Sequence, residues 1–253
     1  MTEMRVQRAL AQAGVASRRA AEELIRAGKV RVDGTVIGLG AKVDPTTQRI
    51  TVGRRVVAVQ PRRWFLFHKP LGVVTTANDE RGRPTVFDYL HNPAGLAYVG
   101  RLDVMTTGLL LLTNDGEALH RLTHPRYRIP RRYSVLVHGA DTGTLQNLMK
   151  RRIVLDDRAV MPVRVSIRPG RQGRSIIDVT LTEGRNRIVR RWVEAMGARV
   201  ERLARLSYGP IRLGKLPVGQ SRALEPKEEV ALYRAVSLDV PEDLKQSRSR
   251  VRR

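Results

Sequence analysis

Apolar positions along the chain switch between two periods, and the switches mark its elements. Near the start, Val6, Leu10 and Ala13 share one helical stripe that stops at Gly14. Ser17 stands where a second helix needs its N-cap, and that helix turns Ala20, Ala21, Leu24 and Ile25 inward before ending at Gly28. The period then falls to two. Lys29-Val30-Arg31-Val32 and Thr35-Val36-Ile37 alternate on either side of Asp33-Gly34, a pair whose backbone freedom suits the tight turn of a hairpin. Gly53-Arg54-Arg55 and Gln60-Pro61-Arg62-Arg63 interrupt the apolar pattern and read as a linker.

After the linker the pattern predicts strands over 64–69, 96–101, 108–113, 132–138, 163–167, 176–182 and 200–206. Helices are predicted over 116–123, 142–151, 186–196 and 227–236. Strands outnumber helices, and the intervals are too short for repeated crossover helices. The expectation is therefore an α+β chain: a small two-helix-plus-hairpin domain over 1–60, then a domain over 61–240 with a mixed, mainly antiparallel sheet. The last stretch, 241–253, is basic and lacks apolar spacing, so it reads as a disordered tail.

Charge narrows the class of partner. Lys and Arg number 47 against 24 Asp and Glu, a formal net charge of +23 in 253 residues, which calls for a polyanion. No apolar run reaches the length of a membrane span and the start lacks a signal-peptide core, so a cytoplasmic protein without a membrane partner is expected. With no cysteine, disulfides and thiolate metal sites are excluded. His68, His120 and His124 read as surface or turn residues rather than a site, so no metal is expected.

One segment asks for chemistry. Gly100-Arg101-Leu102-Asp103 leads into Leu109-Leu110-Leu111-Leu112, an apolar run bounded by Gly108 and Asn114-Asp115-Gly116 that reads as a strand buried on both faces. Asp103, with Arg101 two residues away, then stands at the mouth of that strand. Asp115 is explained structurally, since Asn114 and Glu117 have the spacing of a capping box. Asp103 and Asp115 are therefore not a glycosidase-like carboxylate pair.

The Asp103 segment resembles the catalytic-aspartate motif of RNA pseudouridine synthases of the RsuA/RluB type. Three more segments resemble that family in the same order: His68-Lys69-Pro70-Leu71-Gly72, Arg131-Arg132-Tyr133-Ser134-Val135, and Glu183-Gly184-Arg185-Asn186-Arg187-Ile188-Val189-Arg190-Arg191. The first domain resembles the small RNA-binding domain named from ribosomal protein S-four, with Arg5, Arg8, Ser17, Arg18, Arg19 and Lys29 as its RNA-binding residues. A DNA-binding helix-turn-helix would share the helices but not the hairpin.

The resemblance implies an isomerase that turns uridine into pseudouridine in ribosomal RNA, with no cofactor. Asp103 would act as nucleophile or base, Tyr133 would stack on the base, and Arg190 would hold the charge of Asp103. Arg101, Lys69, Arg185, Arg187 and Leu203 would bind substrate. The Asn186–Arg191 form is closer to members acting on large-subunit 23S RNA than to the small-subunit 16S enzyme. A monomer acting on ribosomal RNA or an assembly intermediate is the expectation. The rival from another class is a noncatalytic ribosome-assembly factor, which would have no reason to keep Asp103, Tyr133 and Arg190 together.

Overall fold

A computed structural model describes residues 3–58, 60–156 and 158–246. Helices Val6–Gln12 and Arg18–Arg26 pack on a four-stranded sheet ordered Thr35–Val36, Val30–Val32, Ile50–Val52, Arg55–Val57. Their shared core includes Val6, Leu10, Ala21, Ile25, Val30 and Ile50, all buried; Leu24 packs at its margin, whereas Ala20, expected inward, is half-buried outside that cluster. Ser17 Oγ accepts the N–H of Ala20 at 3.2 Å, the N-cap expected of it. Asp33 and Gly34 both have positive φ, +50° and +84°, as the two central residues of a type I′ hairpin require.

The linker begins later than the polar pattern suggests. Gly53 and Arg54 turn a second hairpin, Ile50–Val52 against Arg55–Val57, and Val57 is buried. Three-residue strands carry too little alternation to show through two adjacent arginines.

The second unit is built on a mixed sheet ordered Arg164–Pro169, Ser175–Leu181, Arg131–His138, Arg199–Tyr208, Thr107–Thr113, Trp64–Lys69, Ser221–Ala223. Along this path every pair is antiparallel except Arg199–Tyr208 with Thr107–Thr113, which run parallel through Ala204↔Thr107 and Arg205↔Gly108. Gly108 makes that join possible. Its φ is +104°, and a Cβ there would lie 2.3 Å from the Arg205 carbonyl oxygen.

Alternation explains the leucine run. Leu109 and Leu111 enter one core with Trp64 and Leu66, whereas Leu110 and Leu112 enter another with Phe67 on the opposite face. Each buried leucine is worth about 1.5–3 kcal/mol, so this central strand anchors both layers. Helices Thr142–Leu148 and Ile188–Ala195 cover the Tyr133 face of the four-stranded half. Helices Gly116–Thr123 and Pro226–Ala235 cover the other face, but only over the half around Thr107–Thr113 and Trp64–Lys69.

Two expectations are corrected here. Arg8 does not face RNA freely: it bridges the two units, 3.6 Å from Asp115 and 3.5 Å from Glu117 at the start of helix Gly116–Thr123. Gly14 and Gly95 let the backbones of the two units meet at the same seam, where a Cβ on Gly95 would fall 2.7 Å from the Gln12 carbonyl. The tail is ordered at first, since Glu242–Gln246 is helical and Leu244 is buried in the core around Trp64. Residues 247–253 lie outside the described residues.

Candidate active site

A cleft of about 580 Å³ opens where strand Thr107–Thr113 begins. Asp103, Arg101, Tyr133, Arg185, Arg187, Leu203 and Arg205 all line it, so the sheet gathers residues spread over a hundred positions. Of the residues expected to bind substrate, Lys69 is the one placed elsewhere. It is 0 % exposed, beneath the Asp103 turn.

That turn is tied down at five consecutive carbonyls. Thr75 Oγ1 donates to Leu102 O at 2.8 Å, and Thr106 N–H to Asp103 O at 3.0 Å. Val104 O accepts from Gly72 N–H at 3.0 Å and from Lys69 Nζ at 3.4 Å, Met105 O accepts from Arg190 Nη2, and Thr106 O accepts from Lys69 Nζ at 3.0 Å. The backbone around Asp103 is thus held from three directions, while no hydrogen bond or ion pair among the described residues engages its carboxylate. A group held this way is positioned before substrate arrives.

Two buried cations flank it. Burial pushes the Lys69 ammonium down to about 8, and attraction to Asp103 opposes the fall. Burial also lowers Arg190, with repulsion from Arg187 adding to it and with Asp103 and Glu194 opposing. Arginine stays charged regardless. Arg190 makes no direct carboxylate pair among the described residues: its Nη2 bonds the Met105 carbonyl, and its Nε is buried with no hydrogen-bond partner among them. Arg101 is exposed at the rim.

Tyr133 is 9 % exposed on the cleft face, in register with Arg205 on one neighbouring strand and Val179 on the other. Leu203, two residues along from Arg205, opposes Val135 on that face. Arg205 and Arg131 are buried cleft residues that sequence reasoning did not single out for the site. Their guanidinium carbons stand 5.0 and 4.8 Å from the centre of the Tyr208 ring; Arg205 Nε bonds Leu109 O at 2.7 Å, and Arg131 Nη2 bonds the Tyr208 hydroxyl at 2.9 Å. No spacing rule marks Arg205, because an arginine between Ala204 and Leu206 reads as an outward strand position.

Arg185 is largely engaged, pairing with Glu183 at 2.8 Å and donating to Leu155 O at 2.6 Å, so it fixes the cleft wall. Arg187 is exposed, with φ +47° at the N-cap of helix Ile188–Ala195, and no side chain caps that end. In the first unit Arg5, Arg18, Arg19 and Lys29 are exposed.

The capping at the far end of the leucine strand differs from expectation. Asp115 is the N-cap, accepting from Glu117 and Ala118 N–H at 3.0 and 3.2 Å, while Asn114 accepts from Arg63 N–H and donates to Pro61 O. Tyr233 donates to Asp115 at 2.6 Å, and burial together with that carboxylate pushes the phenol up. His68 is in strand Trp64–Lys69, with Nδ1 2.8 Å from Leu216 O. His120 and His124 stand one helical turn apart with ring centroids 5.2 Å from each other. No helix among the described residues is long and apolar enough to cross a membrane.

Comparison with known proteins places this architecture. Residues 63–195 match the RNA pseudouridylate synthase family, and residues 4–48 match the S4 domain. An uncharacterised RNA pseudouridine synthase of Aquifex aeolicus is 40% identical over 242 residues, covering 94% of this chain and 97% of that protein. The ribosomal large subunit pseudouridine synthase B of Bacillus subtilis is 42% identical over 228 residues, covering 88% and 93%. A crystal structure of a pseudouridylate synthase superposes with a TM-score of 0.63 at 26% identity, over 90% of this chain and 99% of that one.

Proposed function

The chain belongs to the RNA pseudouridylate synthase family, and from that premise we propose that Asp103 carries the isomerisation of a uridine in large-subunit ribosomal RNA. The observation that carries the assignment is the carboxylate left unengaged in a cleft while the carbonyls of its own turn are tied. In the reaction the bond from ribose C1′ to N1 breaks, the uracil turns in place, and C5 bonds to C1′; C5 gives up a proton and N1 gains one. Asp103 serves this as nucleophile at C1′ or as base at C2′. Either role needs its negative charge, and the buried Lys69 and Arg190 stand close enough to Asp103 to feel that charge.

Where the other side chains lie supports the remaining roles. Tyr133 stacks on the extruded uracil and Leu203 packs beside it, while Arg101 and Arg187 hold the flanking phosphates at the rim. Residues 1–60 form an anchor that meets RNA through Arg5, Arg18, Arg19 and Lys29, and residues 61–240 carry the chemistry. A ribosomal RNA substrate, free or in an assembly intermediate, fits the charge of +23, and we take the acting form as a cytoplasmic monomer. The large-subunit target is supported by the name of the Bacillus subtilis relative.

The test is to map pseudouridine across the ribosomal RNA of a strain lacking the gene. A uridine in large-subunit RNA should lose its modification and regain it when the gene is restored. A lost site in small-subunit RNA would reassign the target, and an unchanged map would end the proposal. Tyr133→Ala should lower kcat/KM by about 5–150-fold, the loss of about 1–3 kcal/mol of stacking. Tyr133→Phe should keep most of it, and equal damage from both would shift the role to the hydroxyl.

A further inference from the structure

The four-stranded half of the sheet has a second face, turned away from the cleft, that no helix among the described residues covers. Register places Arg168, Ile176, Leu136 and Arg202 in one row across it. With strands about 4.8 Å apart, three steps put the backbones bearing the two arginines about 14 Å apart, on either side of an apolar floor. Arg171 and Arg174 close one end, and the row forms a groove of about 830 Å³.

The charge there is one-sided. The carboxylates at the groove and in the next rows, Asp178 and Glu201, are already paired, at 3.5 Å with Arg132 and at 2.5 Å with Arg174. Arg168, Arg171 and Arg202 make no ion pair among the described residues. Arginines on an edge strand also deter edge-to-edge pairing, but that would need them only on Arg164–Pro169. Arg202 lies three strands further in, so the pattern belongs to a face, not an edge.

We propose that this groove binds the sugar–phosphate backbone of a second segment of the RNA substrate, apart from the segment whose uridine enters the cleft. Planar guanidinium forks on both sides of a shallow floor suit phosphates without reading bases. The sheet separates the groove from Asp103, so only an RNA large enough to pass around the sheet reaches both. The proposal rests on the reading in which a large RNA is the substrate, and it adds a selection for folded RNA over short fragments.

The test uses the full chain carrying R168A, R171A and R202A together. The probes are a large-subunit RNA transcript and a short stem–loop holding the modified uridine, titrated by anisotropy at several salt concentrations. Affinity for the transcript should fall at least about tenfold, and its log–log salt slope should become shallower by about 2–3, near 0.7–0.9 per lost phosphate contact. Affinity for the stem–loop should stay unchanged. Equal loss on both RNAs, or none on the transcript, would overturn the proposal. Loss only on protein-bearing ribosomal particles would overturn it in favour of an acidic protein partner. Should the triple variant lose its circular dichroism signature, R168Q with R202Q keeps side-chain bulk and repeats the measurement. Binding is read directly, so an unaltered chain that binds both RNAs yet forms no pseudouridine would count against the proposed reaction alone.

Discussion

Asp103→Asn should leave no measurable turnover, a loss of at least about 10⁴-fold, while affinity for RNA stays close to that of the unaltered chain. The exchange keeps the side chain's size and leaves untouched the bonds that hold the turn, since Thr75, Gly72, Lys69 and Arg190 all bind backbone carbonyls. Only the charge goes. An amide is a poor nucleophile at C1′ and a poor base at C2′, so the loss is expected on either mechanism. Single-turnover pseudouridine formation measures it, and a binding titration with the same RNA supplies the control. Turnover within an order of magnitude of the unaltered chain would remove Asp103 from the chemistry.

The features of fold and site that were legible in the sequence are those decided locally. Leu109–Leu112 announced a strand buried on both faces because no exposed strand accommodates four leucines. Asp33-Gly34 announced its hairpin because both turn positions need positive φ. Tertiary choices stayed hidden. Lys69, at the end of a strand and before a proline, has the look of a surface residue; only the antiparallel partner Gly108 reveals that it points beneath the Asp103 turn. The parallel join of Ala204 and Arg205 to Thr107 and Gly108 spans two residues, and no periodicity encodes so short a pairing. Arg8 resembled its exposed neighbours until the seam with Asp115 and Glu117 gave it partners. Asn114 and Asp115 are both competent caps, and the choice between them came from Arg63 and Pro61, which engage Asn114.

Lys69→Met should harm stability and turnover together. Met fills similar volume but donates nothing, so Pro70 O and Thr106 O lose their Nζ partner, while Val104 O keeps Gly72 N–H. A buried polar group left unpaired costs about 1–3 kcal/mol, and relief from burying a charge returns part of that. The net loss is expected at about 2–4 kcal/mol, read as a lower denaturation midpoint with unchanged m-value. Turnover should fall about 100-fold, because the Asp103 turn loses an anchor and its carboxylate a counter-charge.

The pH profile separates these two effects. Folding lowers the Lys69 pKa to about 8, so between that value and the ordinary lysine value near 10.5 the unfolded chain binds more protons than the folded one. This group's contribution to stability therefore rises with pH across the window, and its penalty is fully present below pH 8. Activity should move the opposite way. Above about pH 8 Lys69 becomes neutral and Asp103 keeps only Arg190 as a buried counter-charge, so turnover in the unaltered chain should decline while its stability does not. In Lys69→Met that alkaline decline should vanish from an already lowered rate. A Lys69→Met enzyme that keeps the same decline near pH 8 would show that another group sets it, and Lys69 would then be a structural anchor without electrostatic influence on Asp103.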